Sequence, residues 1–421
     1  MTALPAASGS SVARPAERRA ARAATGAGSA PIAAKERSRA ARRAPKSRYL
    51  NRELSWLDYA GRVLYEARDE RNALLDRVNF LTIFSSMLDE FFQIRISGLR
   101  QQLHAGSTTA SPDGRTAGEQ LAAARQKVLA LVADHSATWA EIRKALAAQG
   151  IEIVKYGAIP EHHEALRHRF IDEIYPVLTP LAVDPGHPFP YISTLSLSIA
   201  VGLRDPETDE LHFARVKVPQ ILPRLYQVEP NRFVLLDQII EANLDLLFSG
   251  MEIVEHHLFR VTRNADLSIE EDEADDLLMA IEEELRRRRF GEAVRLEVER
   301  SMPAATRAIL LRGLGLGDDD AYEIKGMLDL TGLRDILDLD RPDLKGEPWT
   351  PVTPPRLIPP DEDEPADVFA AIRLGDLLVH HPYESFATTI ERFISQAVDD
   401  PEVLTIKMTL YRTSGDSPIV R

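Results

Sequence analysis

Cysteine is absent from the 421-residue chain, which excludes disulfides, thiolate nucleophiles and cysteine-ligated zinc or iron–sulfur centres. Long apolar runs are missing too. No stretch approaches the roughly 18 residues needed to cross a bilayer. Arg18-Arg19 and Arg42-Arg43 are followed by alanine-rich, charged sequence rather than the apolar segment of a twin-arginine signal, so the reading is cytoplasmic. There is no Gly-x-x-x-x-Gly-Lys-Ser/Thr loop, no dinucleotide fingerprint, no Gly-x-Ser-x-Gly and no His-Glu-x-x-His. The histidine pairs His162-His163 and His256-His257 are adjacent in sequence. Neighbouring residues on a helix or strand point apart, so adjacency alone makes neither pair a metal site.

What is present is a strongly divided charge. The net charge is -14, yet residues 1–48 hold 11 Lys and Arg against Glu17 and Glu36, leaving an acidic body. Such a surface repels polyanions, which argues against a nucleic-acid binder and requires an arginine-lined site or bound magnesium for any phosphate-rich ligand. Residues 1–47, rich in Ala, Arg, Ser and Pro, lack the large apolar residues needed to offset ordering entropy, and read as a disordered basic tail.

The rest divides by periodicity. Residues 48–150 read as a helical bundle. Ser55 and Asp58 have capping-box spacing, and a first stripe runs through Trp56, Leu57, Ala60, Val63 and Leu64. Residues 79–100 form the central helix, with Phe80, Ile83, Phe84, Met87, Leu88, Phe91 and Ile94 as a buried stripe and Asp89, Glu90, Gln93 and Arg95 mostly outside it. A third helix carries Leu121, Val128, Leu131 and Trp139.

Residues 151–350 read as an α+β domain. Strands are expected at 151–154, 195–203, 211–218, 258–263 and 293–298, helices at 162–175 and 274–289, and a long irregular connection over the proline-rich 178–193. The 274–289 helix follows acids with Arg286 to Arg289, which complements the helix macrodipole. A proline-rich linker at 348–360 opens the last segment, 351–421, where strand 376–379, helix 386–397 and strand 404–410 compose one βαβ unit. Ligands of such sheets sit beyond the carboxyl ends of the strands. That edge carries His380, His381 and Tyr383, then Tyr411 and Arg412. The residues suit an anion site, although spacing alone favours a satisfied loop-entry histidine pair with a surface arginine.

Several phrases, in order, carry a resemblance: RYLNRELSWLDYAGRVL, FLTIFSSMLDEFFQIRISGL, YPVLTPLAVDPGHPFPYISTLSLSIAV, FRVTRNADL, RRRRFGEAVRLEVE, LLVHHPYESF and VLTIKMTLYRTSGDSPIV. Together they resemble the bacterial polyphosphate kinases of the histidine-phosphorylating type. The resemblance implies a multidomain α and α+β protein: a helical N-terminal bundle, an α+β middle domain used in dimer formation, and the beginning of an α/β phospholipase-D-like catalytic domain. It implies reversible transfer of the ATP terminal phosphate to polyphosphate through a phosphohistidine, with magnesium. ATP/ADP and polyphosphate are then the ligands, alongside the charge argument against nucleic acid and the lack of a transmembrane segment. Arg412 aligns with a family arginine of the magnesium and phosphate site, and His381 and Tyr411 are weaker candidates.

Two departures qualify the carry-over. The family's catalytic histidines and a further phosphate-binding arginine align beyond Arg421, so no catalytic residue is assigned here and the chain reads as a fragment, inactive alone. The alternative is a natural non-catalytic relative acting as a dimerisation or nucleotide-binding module. The family also usually has an asparagine before Leu-Asp-Glu-Phe that contacts ATP, where this chain has Met87. An amide donates and accepts hydrogen bonds, whereas a thioether packs and accepts only weakly.

Overall fold

The computed structural model describes residues 48–183, 189–265, 291–359 and 366–409, with 417 and 419. By contacts, the chain separates into residues 1–50 and a unit from Asn51 onward; the architecture below is that of the second unit. Its first helix, α1 (Arg52–Arg68), is capped by Asn51, whose side chain accepts from the Glu53 and Leu54 amides at 3.1 and 3.0 Å. Ser55 lies inside the helix, so the expected Ser55/Asp58 box is not the start. Asparagine caps as well as serine, and Asn51 comes first in the chain.

The central helix is longer than its apolar stripe suggests. It begins as α2 (Leu74–Glu90), passes through a π-helical segment (Phe91–Ile96) and ends as α3 (Ser97–His104). Phe84, Leu88 and Phe91 point inward as expected, while Ile94 is 43% exposed and Phe92 and Ile96 are buried. The wider π turn rotates the residues after it out of the α-helical phase. Helix α4 (Ala117–Ala148) starts with a Thr116/Glu119 capping box and packs along α1. Gly61 allows that approach, because a Cβ there would already sit 3.3 Å from Leu131.

Two sheets follow. The smaller joins β1 (Glu152–Val154), β5 (Leu225–Glu229) and β6 (Arg232–Leu235) in the order β1-β6-β5, with β1 parallel to β6. The larger has six strands, β2 (Leu181–Val183), β3 (Leu197–Arg204), β4 (Leu211–Lys217), β7 (Glu252–Arg263), β8 (Ala293–Glu299) and β9 (Ala321–Ile324), ordered β2-β4-β3-β7-β8-β9. Strand β2 corrects the expectation of an irregular 178–193. It adds to the edge through β4, with Leu181 opposite Arg215, and Pro180, which has no N–H to give a ladder, stops just short of it. Strand β7 begins six residues before the expected 258, since its first half alternates between exposed and partly buried residues and only its second half is continuously buried. The expected 162–175 helix is α5 (His163–Arg169) continued by a π turn (Phe170–Ile174). Short α6 (Leu236–Glu241) and α7 (Leu244–Leu247) lead into β7, and α8 (Ala304–Leu314) packs beside the larger sheet. The helix expected at 274–289 lies outside the described residues.

The βαβ expectation fails over 376–379 and 404–409, where the described backbone forms no strand. Leu378 and Leu404 are 92% and 95% exposed, and the isolated parallel bridge of this segment, Val352 with Glu384, lies outside both ranges. Alternating apolar residues become a strand only when a neighbour takes up the backbone groups. Helices α9 (Val368–Arg373) and α10 (Arg392–Asp399, preceded by a π turn) do form.

Candidate functional site

The central helix presents two faces, and both do something. On the half-open face Met87 packs against the core without being covered by it. Beside it, the Ser86 hydroxyl donates to Thr82 O at 3.1 Å and accepts from the Arg334 guanidinium at 3.0 Å. Glu90, Ile94 and Arg334 are exposed. An apolar thioether, a carboxylate and a guanidinium thus share one accessible stretch. The π turn below it holds its shape through specific contacts. Ser97 Oγ donates to Phe92 O at 2.9 Å, Phe91 stacks on Trp56 with centroids 5.0 Å apart, and Arg95 lies over Trp56 while pairing with Glu53 at 3.0 Å. π turns inside α-helices recur at functional sites because they re-aim side chains.

The opposite face is locked to the larger sheet by charge. Asp89, expected among the outward acids, is 5% exposed. Arg260 of β7 grips it with both terminal nitrogens, at 2.7 and 2.6 Å, and Arg295 of β8 donates to the same carboxylate. Glu297 accepts from Arg260 at 3.0 Å and lies 3.1 Å from Arg295. Thr262 Oγ1 accepts from the Arg295 Nε at 3.0 Å, and the Arg295 guanidinium sits 4.4 Å over the Phe92 ring. Burial works to raise the Asp89 pKa, but the two guanidiniums hold it below the usual carboxylate range. Arg260 in turn stays well above its ordinary value: burial would lower it, and Asp89 overrides burial. Nearby His135 is driven down to about 4 by burial, with Leu81 O pulling weakly the other way, so it is neutral. Sequence reasoning missed Arg260 and Arg295. The available signal was arginine inside two apolar strand segments, where a buried cation requires a buried anion.

The C-terminal candidates separate. Tyr411 and Arg412 lie outside the described residues. His381 sits in the loop before α10, where Nδ1 is 3.0 Å from Glu384 O and Nε2 is buried without a hydrogen-bond partner. The carbonyl can only accept, so the proton sits on Nδ1 and the Nε2 lone pair is left bare. The His380 amide donates to the Glu384 carboxylate at 2.6 Å, and its ring meets Tyr383 edge-on at 4.9 Å. The two histidines therefore have different environments: His381 is half-buried with Nδ1 held by a loop carbonyl, and His380 is exposed.

A helical bundle bolted by buried arginines to a mixed sheet, with a re-aimed helix face at the junction, defines a multidomain α and α+β protein. Comparison with known proteins takes this further. The polyphosphate kinase N-terminal domain matches residues 49–154, the middle domain 161–336 and C-terminal domain 1 367–421. The chain is 52% identical over 398 residues to the polyphosphate kinase of Synechocystis sp., across 88% of this chain and 55% of that protein. Against the Streptomyces coelicolor polyphosphate kinase the identity is 48% over 384 residues, across 90% and 51%. The crystal structure of polyphosphate kinase from Porphyromonas gingivalis superposes with a TM-score of 0.70 at 26% identity, across 89% of this chain and 53% of that one. The chain belongs to the polyphosphate kinase family, and it spans about half the length of the curated relatives it matches. No helix among the described residues is long and apolar enough to cross a membrane.

Proposed function

We propose that this chain supplies the scaffold and one nucleotide-facing wall of a cytoplasmic polyphosphate kinase that transfers the terminal phosphate of ATP to polyphosphate, reversibly and through a phosphohistidine. The observation that carries the reading is the ordered match of three polyphosphate kinase domains along the chain, the first containing the helix whose far face is fixed by Asp89, Arg260 and Arg295. Positioning and charge neutralisation dominate phosphoryl transfer. In this reading the buried ion network holds the helix rigid, Met87 packs beneath the nucleotide base, and Arg412 faces its phosphates. The phosphoryl-carrying histidine comes from the half of the relatives' length that this chain does not span. Two copies associate through the middle segment, and nucleic acid is not a ligand.

Magnesium suits the reaction, but the described residues do not build an oxygen cage for it. Their one three-ligand cluster, Glu161, His162 and Glu229, already faces the Arg232 guanidinium at 3.6 and 3.3 Å. A hard, octahedral cation bound largely through phosphate oxygens and water fits the reading better than that site does. The test joins this chain to the C-terminal half of the Synechocystis relative and assays ATP-dependent polyphosphate synthesis beside the 421-residue chain alone. The fusion is expected to turn over and the chain alone is not. A well-folded fusion without activity, or turnover by the chain alone, overturns the reading.

A further inference from the structure

Buried carboxylates in this protein are matched by arginines. Asp89 faces Arg260 and Arg295, Asp237 accepts from Arg224 at 2.7 Å, and Glu53 meets Arg95 at 3.0 Å. Glu241, at the end of α6, and Glu299, at the end of β8, break the pattern. Their side chains are only 18% and 28% exposed, yet among the described residues their ion-pair partners are histidines: His256 Nδ1 lies 3.5 Å from Glu241, and His257 Nδ1 lies 3.8 Å from Glu299. Glu299 also accepts the Leu258 backbone N–H at 3.1 Å. It thereby extends the β7–β8 ladder past its last pair, Phe259 with Val298. Glu241, His256 and Glu299 together line a cleft of about 990 Å³ between α4, the β1–β6 pair and the ends of β7 to β9.

The other charges around the cleft do not substitute for the missing cation. Asp237 on α6 is occupied by Arg224. Glu255 on β7 accepts from Thr306, and Glu323 on β9 pairs with Arg307 at 2.6 Å. Arg143 of α4, Lys155 after β1, and Arg300 and Lys325 after β8 and β9 line the walls, and none of them ion-pairs with either glutamate among the described residues. Charge balance at this junction therefore depends on protons.

We propose that Glu241, His256 and Glu299 form a proton-operated latch between α6 and strands β7 and β8, closed while Glu299 and the Glu241–His256 pair hold their protons and released when those protons are lost. Burial pushes Glu299 up to about 7, with the Glu241 and Asp237 charges adding and the Leu258 amide opposing. Burial likewise raises Glu241, against the His256 ring 3.5 Å away. The same contact raises His256, against burial. Glu299 and the Glu241–His256 pair therefore bind protons more tightly when the latch is closed. The Glu299 contribution is complete below its ordinary value of 4.5 and is lost as pH rises to about 7; that of His256 is complete below 6.5 and is lost as pH climbs through its raised value. The signs agree, so the latch loosens as pH rises through neutrality.

Amide hydrogen exchange at pH 5.5 and 7.5 on the 421-residue chain tests this, read as protection factors so that base catalysis cancels. The Leu258 and α6 amides are expected to lose about tenfold protection or more, the equivalent of one pH unit of linkage, while amides in the middle of α4 hold. Glu299→Gln keeps the acceptor for Leu258 and cannot ionise, so its loss should shrink to about twofold. Equal losses in wild type and variant, or none in wild type, overturn the latch. If Glu299→Gln does not fold, the carbon-13 shift of the Glu299 carboxyl decides: a midpoint near neutrality supports the latch, and one near 4.5 overturns it.

Discussion

Replacing Asp89 by asparagine removes the carboxylate that both Arg260 and Arg295 grip and leaves two buried guanidiniums to Glu297 and Asp329. Removing one partner from such a network costs roughly 3–5 kcal/mol. With Glu297 still in place, about 3 kcal/mol is expected for Asp89→Asn, read from urea unfolding at pH 7. The pH dependence has a definite sign. The folded pKa of Asp89 lies below its ordinary 3.8, so its contribution is present above 3.8 and is lost as pH falls through the folded value. Wild type should lose stability below that point more steeply than the variant. An unchanged urea midpoint for Asp89→Asn at pH 7 would show the network to be dispensable. At Met87 the effect belongs to binding. Met87→Asn in the fusion protein restores a donor and acceptor at the half-open face, and is expected to tighten ATP by about 1–3 kcal/mol, or fivefold or more. Titration calorimetry checks it, and equal affinities would leave Met87 a packing residue. Helical spacing correctly set Asp89 apart from the apolar stripe. It could not reveal that β7 and β8 cover that side, because such pairing is fixed 171 and 206 residues away.

Elements were legible where their own residues decide them. The stripe at Phe84, Leu88 and Phe91, strands β3 and β4 and the apolar second half of β7 depend on local spacing, and the structure bears them out, except that β3 is buried on both faces from Leu197 to Val201 rather than half-buried. Three features depend on something else. The π turn arises where Ser97 bonds to Phe92 O and the rings of Trp56 and Phe91 stack, and a fixed period of 3.6 residues cannot represent it. This is why Ile94 was assigned inside and Ile96 is buried instead. Strand β2 is three residues long and exists through β4. The apolar alternation at 404–409 lacks a neighbouring strand among the described residues and forms no strand. The same dependence on partners explains the site. Met87 could be singled out from the phrase around it, whereas the bare Nε2 of His381 follows from a loop carbonyl three residues away.

At a larger scale, the helical bundle and part of both sheets share an interior. One apolar cluster runs from Leu57 and Phe84 through Trp139 and Ile142 to Leu197, Val234, Tyr322 and Leu333, and a second lies between the larger sheet and α8. Phe92 of the π turn meets Tyr322 of β9 edge-on at 5.3 Å, next to the Asp89 clamp. A bundle cut free at residue 150 would expose Phe92 and Ile96, now 1% and 7% accessible, and would strip Asp89 of both arginines. Fully burying one such side chain is worth roughly 1.5–3 kcal/mol, so several losses together reach the 5–15 kcal/mol that holds a typical domain folded. The fragment 48–150 is therefore expected to keep helical circular dichroism, since α4 carries its own cap and length. It should also bind a hydrophobic dye and melt in urea without a sharp transition, while the full chain unfolds with tryptophan fluorescence and circular dichroism changing together. A cooperative urea transition in the fragment, with no dye binding, would show that the helices hold their own core and that the arginine clamp serves only to aim the Met87 face.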